Sequence, residues 1–361
     1  MYSGGMIEGP RAALVEELQA VVGLSNGVFS PDGSVDMGRV FPTLFSRDNV
    51  GNLRVFVDDG TPVALCGMTV QGLSMDDVLV RAACVGSVCT RDEYRGRGLA
   101  ARLMDDCISV ASANGASLLL VSGGRGLYRR MGCVDAGLFT AIRLQRDSRL
   151  PAVSSRVREW TEADLPELES LHRQERVRFM RAPGEMAALL RTRALHGRPA
   201  RTWIVRVGER TAGYLCVSGP DVRTGPGVLV AREIAGSRPA ILAAAPAILD
   251  ASGAECLEVE IPASDTETIS LARSFGCASR AMGMHGTLKI IDPPAFFKAL
   301  EPRFLARLSP EGLAERSIRD IALTPAEDLA ALVFGSTERE SPKILGSVFP
   351  LPLPGYGLNY I

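Results

Sequence analysis

Val85-Gly-Ser-Val-Cys-Thr90-Arg-Asp-Glu-Tyr94-Arg-Gly-Arg-Gly98-Leu-Ala-Ala-Arg-Leu-Met104 reads as a strand, a short turn and an amphipathic helix. Val85, Val88, Cys89 and Thr90 have strand composition. Leu99, Leu103, Cys107 and Val110 fall on one helical face. Between them lies Arg95-Gly96-Arg97-Gly98. Two glycines let the backbone approach a ligand closely. The amides of a helix N-terminus are unpaired donors at a positive dipole end. That combination suits a phosphate, and two arginines add charge.

The residues downstream of the loop narrow the kind of phosphate. Gly96, Gly98 and Ala101 fit the relaxed dinucleotide fingerprint, which also needs an acid about 20 positions on. The next strand, Ser117-Leu-Leu-Leu-Val-Ser122, has none. No Gly-Lys-Ser/Thr comes after the glycines, so a nucleotide-triphosphate loop is excluded. With Arg95, Gly98 and Ala100 in an Arg/Gln-x-x-Gly-x-Gly/Ala arrangement, the loop resembles the pyrophosphate loop of the GCN5-related N-acetyltransferases. Flanking segments strengthen the resemblance: Thr90-x-x-x-Tyr94-Arg95 before it and Gly126-Leu-Tyr128-Arg-Arg-Met-Gly132-Cys133 after the next strand. The latter is similar to the family's Tyr-x-x-x-Gly-Phe signature, with Cys133 where an aromatic is usual.

Around this core, residues 1–150 read as one unit. A helix is expected at Arg11–Val22. Leu53–Val57 and Pro62–Cys66 flank Asp58-Asp59-Gly60, a hairpin signal. Val78–Val88, Leu118–Val121, a short helix near Tyr128 and a last strand near Phe139–Leu144 complete it. Residues 151–290 look like a second copy. Thr161 and Asp164 are spaced as a capping box, and Trp203–Val207 and Ala212–Val217 repeat the hairpin. Ala113-Asn-Gly-Ala116 with Met131-Gly-Cys133 is echoed by Ala251-Ser-Gly-Ala254 with Phe275-Gly-Cys277. Opposite the phosphate loop this copy has Arg232-Glu233-Ile-Ala-Gly236-Ser-Arg-Pro239. One glycine remains, Pro239 is expected to interrupt, and Glu233 to repel phosphate, so this copy is expected to hold no cofactor and to wall off the substrate side.

The tandem arrangement resembles acetyltransferases of the enhanced-intracellular-survival type. It implies an α/β (α+β) fold class: tandem folds, each a mixed, mostly antiparallel sheet flanked by helices, plus a small α+β C-terminal domain. That third part, residues 291–361, would be a short sterol-carrier-like unit, with helices opening at Asp292-Pro-Pro and at Thr324-Pro325.

The resemblance also assigns roles. Acetyl-CoA would be the co-substrate, held by Val88, Cys89, Thr90, Arg95, Gly96, Arg97, Gly98, Leu99, Ala100, Gly123 and Gly124. Tyr128 would protonate the departing thiolate, against the plainer reading of a packed aromatic. A backbone amide near Val88 would hold the oxyanion. The base is water or the terminal carboxylate; resembling proteins place that carboxylate in the cleft and usually end in an aromatic, whereas this chain ends in Ile361. Its apolar, proline-bearing tail favours docking over fraying. Cys89 could suggest an acyl-enzyme but has no activating His nearby in sequence, so packing is preferred.

Composition bounds the rest. The 361 residues carry 40 Lys and Arg against 41 Asp and Glu, with no basic excess or basic block for nucleic acid or a membrane surface. The longest apolar run, Ala240–Leu249, is too short to span a bilayer. Eight scattered cysteines without a Cys-x-x-Cys pair and three separated histidines read as reduced core residues of a cytoplasmic protein without a metal centre. The expected reaction is acetyl transfer to a small-molecule primary amine. The alternatives are a transferase with another acyl donor and a non-catalytic acyl-CoA sensor or scaffold. Asp76, Asp77 and Glu233 are acids that could attract a cationic acceptor, but nothing in the sequence brings them together. Oligomeric state is open, a homo-oligomer included.

Overall fold

Asp59 and Gly60 both take left-handed φ values, 47° and 70°, as a tight hairpin turn requires. They join β2 (Leu53–Asp58) to β3 (Thr61–Met75), which turns at Asp76 into β4 (Val78–Thr90). The computed structural model describes residues 7–220, 224–307, 324–337 and 348–361. β1 (Glu8–Ala12) pairs antiparallel with β2, and β5 (Leu118–Val121) pairs parallel with β4.

Arg11 and Ala12, expected in a helix, instead pair with Val55 and Arg54. The helix, α1, is Leu18–Phe29. Glu17 sets its start: its carboxylate accepts from the Leu14 amide and from Arg11, turning the chain between strand and helix. The looser stretch after it holds α2 (Met37–Val40).

Alternation along β4 assigns the two faces of the sheet. Ala83, Val85 and Val88 pack with Leu99, Leu103, Met104 and Cys107 of α3 (Leu99–Ala113) and with Tyr128 of α4 (Gly126–Arg130). Ala82, Cys84 and Cys89 belong to the core on the other face, with Val21 and Leu24 of α1.

The second sheet repeats this order. β7 (Ser155–Glu159), β10 (Arg198–Val207), β11 (Arg210–Ser218) and β12 (Val228–Gly236) are antiparallel neighbours, and β13 (Cys256–Pro262) is parallel to β12. On one face lie α7 (Arg238–Ala243), α8 (Ala245–Ser252) and α9 (Thr266–Ser274); on the other lie α5 (Leu165–Gln174) and α6 (Glu185–Arg191). The Thr161–Asp164 capping box forms. Pro239 does not interrupt: it lies in the first turn of α7, where a missing amide costs nothing.

The two units exchange strands. The strand near Phe139–Leu144 forms as β6 (Leu138–Gln145), yet it does not close the first sheet. It lies between β13 and β14 (Ala278–Gly283) of the second. β15 (Thr287–Ile290) returns to pair with β5 of the first. Thr287 Oγ1 donates to the Gly123 carbonyl at 3.0 Å, and Val134 bridges Leu288. One further strand ties the units: β8 (Val177–Met180) pairs antiparallel with β3, whereas β9 (Ala194–Leu195) pairs β10 within the second unit. Either edge suits an alternating apolar strand, so sequence order alone does not choose between them.

Past residue 291, α10 (Pro293–Arg307) and α11 (Ala326–Phe334) form. α11 begins at Ala326, with Pro325 rather than Thr324 at the cap position. Phe296, Leu300, Phe304, Leu329, Val333 and Phe334 join the core over the first sheet, together with Leu351, Leu353, Tyr356 and Ile361. No strand of the expected α+β C-terminal unit occurs among the described residues, and its helices share the first unit's core. No helix of the described residues is long and apolar enough to cross a membrane.

Candidate active site

The site begins where two parallel strands part. β4 and β5 are in register from Ala82 opposite Leu118 to Val85 opposite Val121. β5 then ends while β4 continues to Thr90. A register shift against β3 places an extra residue on β4 between Gly86 and Cys89. Such a bulge bends a strand away from its neighbour. Ser87 sits there with φ 52°, and its hydroxyl is 2.7 Å from that of Ser25 on α1, a buried pair that pins the bend. Gly86, Val88, Cys89 and Thr90 thus line one edge of an opening wedge.

At the wedge's outer end, Gly96 and Gly98 have φ of 76° and 73°, and the space where each Cβ would lie is open. Gly98 caps α3, whose next residues, Leu99 and Ala100, carry the first free amides. Arg95 and Arg97 are exposed beside it: Arg95 pairs with Asp92 at 2.8 Å, and the Arg97 guanidinium lies over the Tyr94 ring at 4.9 Å. Glycine geometry, free amides and two cations fit a pyrophosphate. Among the described residues no group of His, Cys, Asp and Glu could hold a metal.

At the inner end, Ser122 comes directly after β5 and its amide donates to the Val85 carbonyl at 3.1 Å. Tyr128 is buried, and its ring packs so closely on Gly123 that a Cβ there would stand 3.1 Å from Cε2. Gly124, one residue on, is exposed. Burial raises the Tyr128 phenol to about 12, so it stays protonated through the neutral range. The tail enters from the other side. Tyr360 Oη donates to the Ser122 carbonyl at 3.0 Å, and its ring stacks on His196 at 4.0 Å. Ile361 is buried with its terminal carboxyl group against Gly86. The structure therefore brings the loop, the β4 edge, Tyr128 and the chain terminus to one wedge.

Burial pushes the Cys89 thiol up to about 12, which leaves almost no thiolate at neutral pH and favours the packing role. The eight cysteines are free thiols.

The second unit has the corresponding parting of strands, and a cavity of about 840 Å³ opens there, lined by ion-paired side chains, Arg232, Glu233, Arg238 and Glu260 among them. β12 and β13 separate after Ala231 opposite Val259. Buried Arg232 and Glu260 pair there at 2.9 Å, with His285 Nε2 2.7 Å from Glu260. Where the first unit has its open loop, Glu175 accepts from the Gly236 amide at 2.9 Å and from Arg238 at 2.6 Å. An internal carboxylate thus stands where an anion would bind. Glu233, expected to repel phosphate, is instead paired with Arg181 at 2.7 Å. Asp76 and Asp77, the other acids weighed for a cationic acceptor, pair with Arg303 and Arg307.

Sequence reasoning missed Gly86, Ser87, Ser122, Arg181 and Asn359. Gly86 carried a signal, since a glycine inside a strand marks a bulge or a close backbone approach. The others depend on contacts distant in sequence and left no local trace.

A search among curated proteins returned no match. In overall structure the chain is similar to a GCN5-related N-acetyltransferase from Anabaena variabilis: TM-score 0.59, 18% identity, covering 78% of this chain and 72% of that one. It is also similar to a conserved protein of unknown function from Enterococcus faecalis, described as a probable N-acyltransferase, with TM-score 0.60, 15% identity and coverage of 81% and 74%. Eis1 from Mycobacterium abscessus aligns with TM-score 0.55, 15% identity and coverage of 78% and 73%. At these identities the likeness shows a shared fold. Residues 10–134 match the family model of the acetyltransferase (GNAT) domain.

Proposed function

We propose that the chain is an acetyl-CoA-dependent N-acetyltransferase acting on a primary amine. Its first 150 residues, completed by β15 and the tail, do the chemistry; the second unit holds no cofactor and walls the substrate side. The observation that carries this reading is the wedge past Val85: an open phosphate-type loop lies at one end, Tyr128 and the chain terminus at the other. Amides of Arg95 to Ala100 take the pyrophosphate, and the open edge at Val88, Cys89 and Thr90 takes the pantetheine arm. Gly123 and Gly124 leave room at the end of β5.

The amine nitrogen bonds to the acetyl carbon and the carbon–sulfur bond breaks. Tyr128 gives its proton to the sulfur. The carboxylate of Ile361 takes the proton released by the amine. A phenol at about 12 is a weak acid, so its contribution comes from placement beside the leaving sulfur.

Thiol release from acetyl-CoA, measured over a set of amines, tests this with Tyr128→Phe. The variant is expected to keep acetyl-CoA affinity and lose roughly 10²-fold or more in kcat. Unchanged kcat would remove Tyr128 from the chemistry. Binding without turnover of any amine by the unmodified protein would favour an acyl-CoA sensor.

A further inference from the structure

The last four residues are held by an apparatus that belongs mostly to the second unit. Arg181, just past β8, forms a two-point ion pair with Glu233 of β12, at 2.8 and 2.7 Å. Their side chains are 5% and 10% exposed. The same guanidinium donates to Asn359 Oδ1 from Nε at 2.9 Å and from Nη2 at 2.7 Å. Glu233 Oε2 accepts from the Leu358 amide at 2.9 Å, and Oε1 accepts from the Tyr214 hydroxyl at 2.8 Å. Asn359 Nδ2 donates to Gln71 at 3.1 Å and to Glu185 at 3.3 Å.

We infer that Arg181 and Glu233 are positioning residues, a buried clamp that seats the terminal carboxylate of Ile361 in the first unit's wedge. Three arguments carry this. Burying an ion pair is a poor way to gain stability, since an apolar pair of similar size generally does as well or better. Every group the clamp holds on the tail lies within three residues of the terminus. Two residues beyond Asn359 reach at most about 7 Å, so fixing Asn359 confines the carboxylate to the neighbourhood of Gly86. Tyr360 adds a second tether through Ser122. Glu233 lies on β12 two residues past Ala231, in the second wedge, at the place that corresponds to Ser87, two residues past Val85 on β4. The duplicated cleft has become the seat for the chain end that serves the other cleft.

The catalytic part of this inference rests on Ile361 as the base in the proposed reaction, and the test separates the two. The full-length protein is compared with Asn359→Ala, Glu233→Gln, a chain lacking Ile361, and Glu162→Gln, which breaks the exposed pair with Arg191. The readouts are release of isoleucine by a carboxypeptidase, acetyl-CoA affinity, and kcat with and without added formate. Asn359→Ala leaves the ion pair intact and carries the test if Glu233→Gln fails to fold.

The expected result is isoleucine release at least about tenfold faster in Asn359→Ala and Glu233→Gln, with Glu162→Gln unchanged. kcat should fall about tenfold or more, toward that of the truncated chain. Acetyl-CoA affinity should stay within about twofold, with formate restoring part of the rate in both Asn359→Ala and the truncated chain. Unchanged isoleucine release in Asn359→Ala overturns the clamp. A truncation that lowers kcat while Asn359→Ala does not overturns the clamp and leaves the base standing. A truncation without effect on kcat removes the base, and the positioning role falls with it.

Discussion

Replacing Gly86 by alanine probes the wedge with a single methyl group. Its φ lies outside the left-handed region, so the backbone accepts alanine without strain. The space does not: the new methyl would meet Ile361 Cγ1 at 3.0 Å, and the terminal carboxyl carbon and oxygen nearer still. Non-bonded carbons keep about 3.5–4.0 Å apart, so the groups must separate by on the order of 1 Å. β4 is held by β3 along its length, and Tyr360 is tied to Ser122. The displacement therefore falls on Ile361. A reacting group misplaced by about 1 Å costs on the order of 10²-fold in rate. The assay is thiol release at saturating acetyl-CoA, in the full chain and in one lacking Ile361. Gly86→Ala should cost about 100-fold in the full chain and little in the truncated one, because the two changes act on the same group. Equal losses in both backgrounds, or no loss in either, would refute the reasoning.

Two predictions concern stability. Burial alone would raise the Glu233 carboxyl, but Arg181 and the Leu358 amide bring it from its ordinary 4.5 down to about 2. Its stabilising contribution is full above about 4.5 and is lost as the pH falls toward about 2. Glu233→Gln, which leaves Arg181 uncompensated, should cost about 3–5 kcal/mol at neutral pH. In thermal melts at decreasing pH its gap to the unmodified protein should narrow across that window, and a constant gap would exclude the linkage. Gly286, with φ 101°, packs its backbone on the Val121 carbonyl beside the exchanged strand β15. Gly286→Ala should lose at least about 1–3 kcal/mol from backbone strain alone, read by denaturant unfolding; a change under about 0.5 kcal/mol would show that β15 is not seated there as described.

Much of this was legible locally. Asp59-Gly60 announced its hairpin, Thr161 and Asp164 their cap, and Gly98 the start of α3, because each is specified by residues within one turn of chain. The candidate site was legible to the same extent: loop, strand edge and Tyr128 lie between 85 and 133. What the sequence hid was non-local. β6 and β15 alternate as strands on either edge would, so nothing in their residues announces the exchange. Glu233 read as a charge that repels phosphate because its partner, Arg181, stands 52 positions away. The anion at the second loop, Glu175, comes from the turn after α5, and the tail's seat is built from elements of both units, β3, β4, α6 and β12 among them.

The central claim is that acetyl-CoA binds at the start of α3. Calorimetric titration with acetyl-CoA, comparing the protein with Gly98→Glu and Gly98→Ala, tests it most directly. Both substitutions share the strain of φ 73° in open space, and Gly98→Glu adds a longer side chain that carries a negative charge. The account predicts binding by the unmodified protein, retained in part by Gly98→Ala and lost in Gly98→Glu. Equal affinity in all three, or no binding by the unmodified protein, would contradict it.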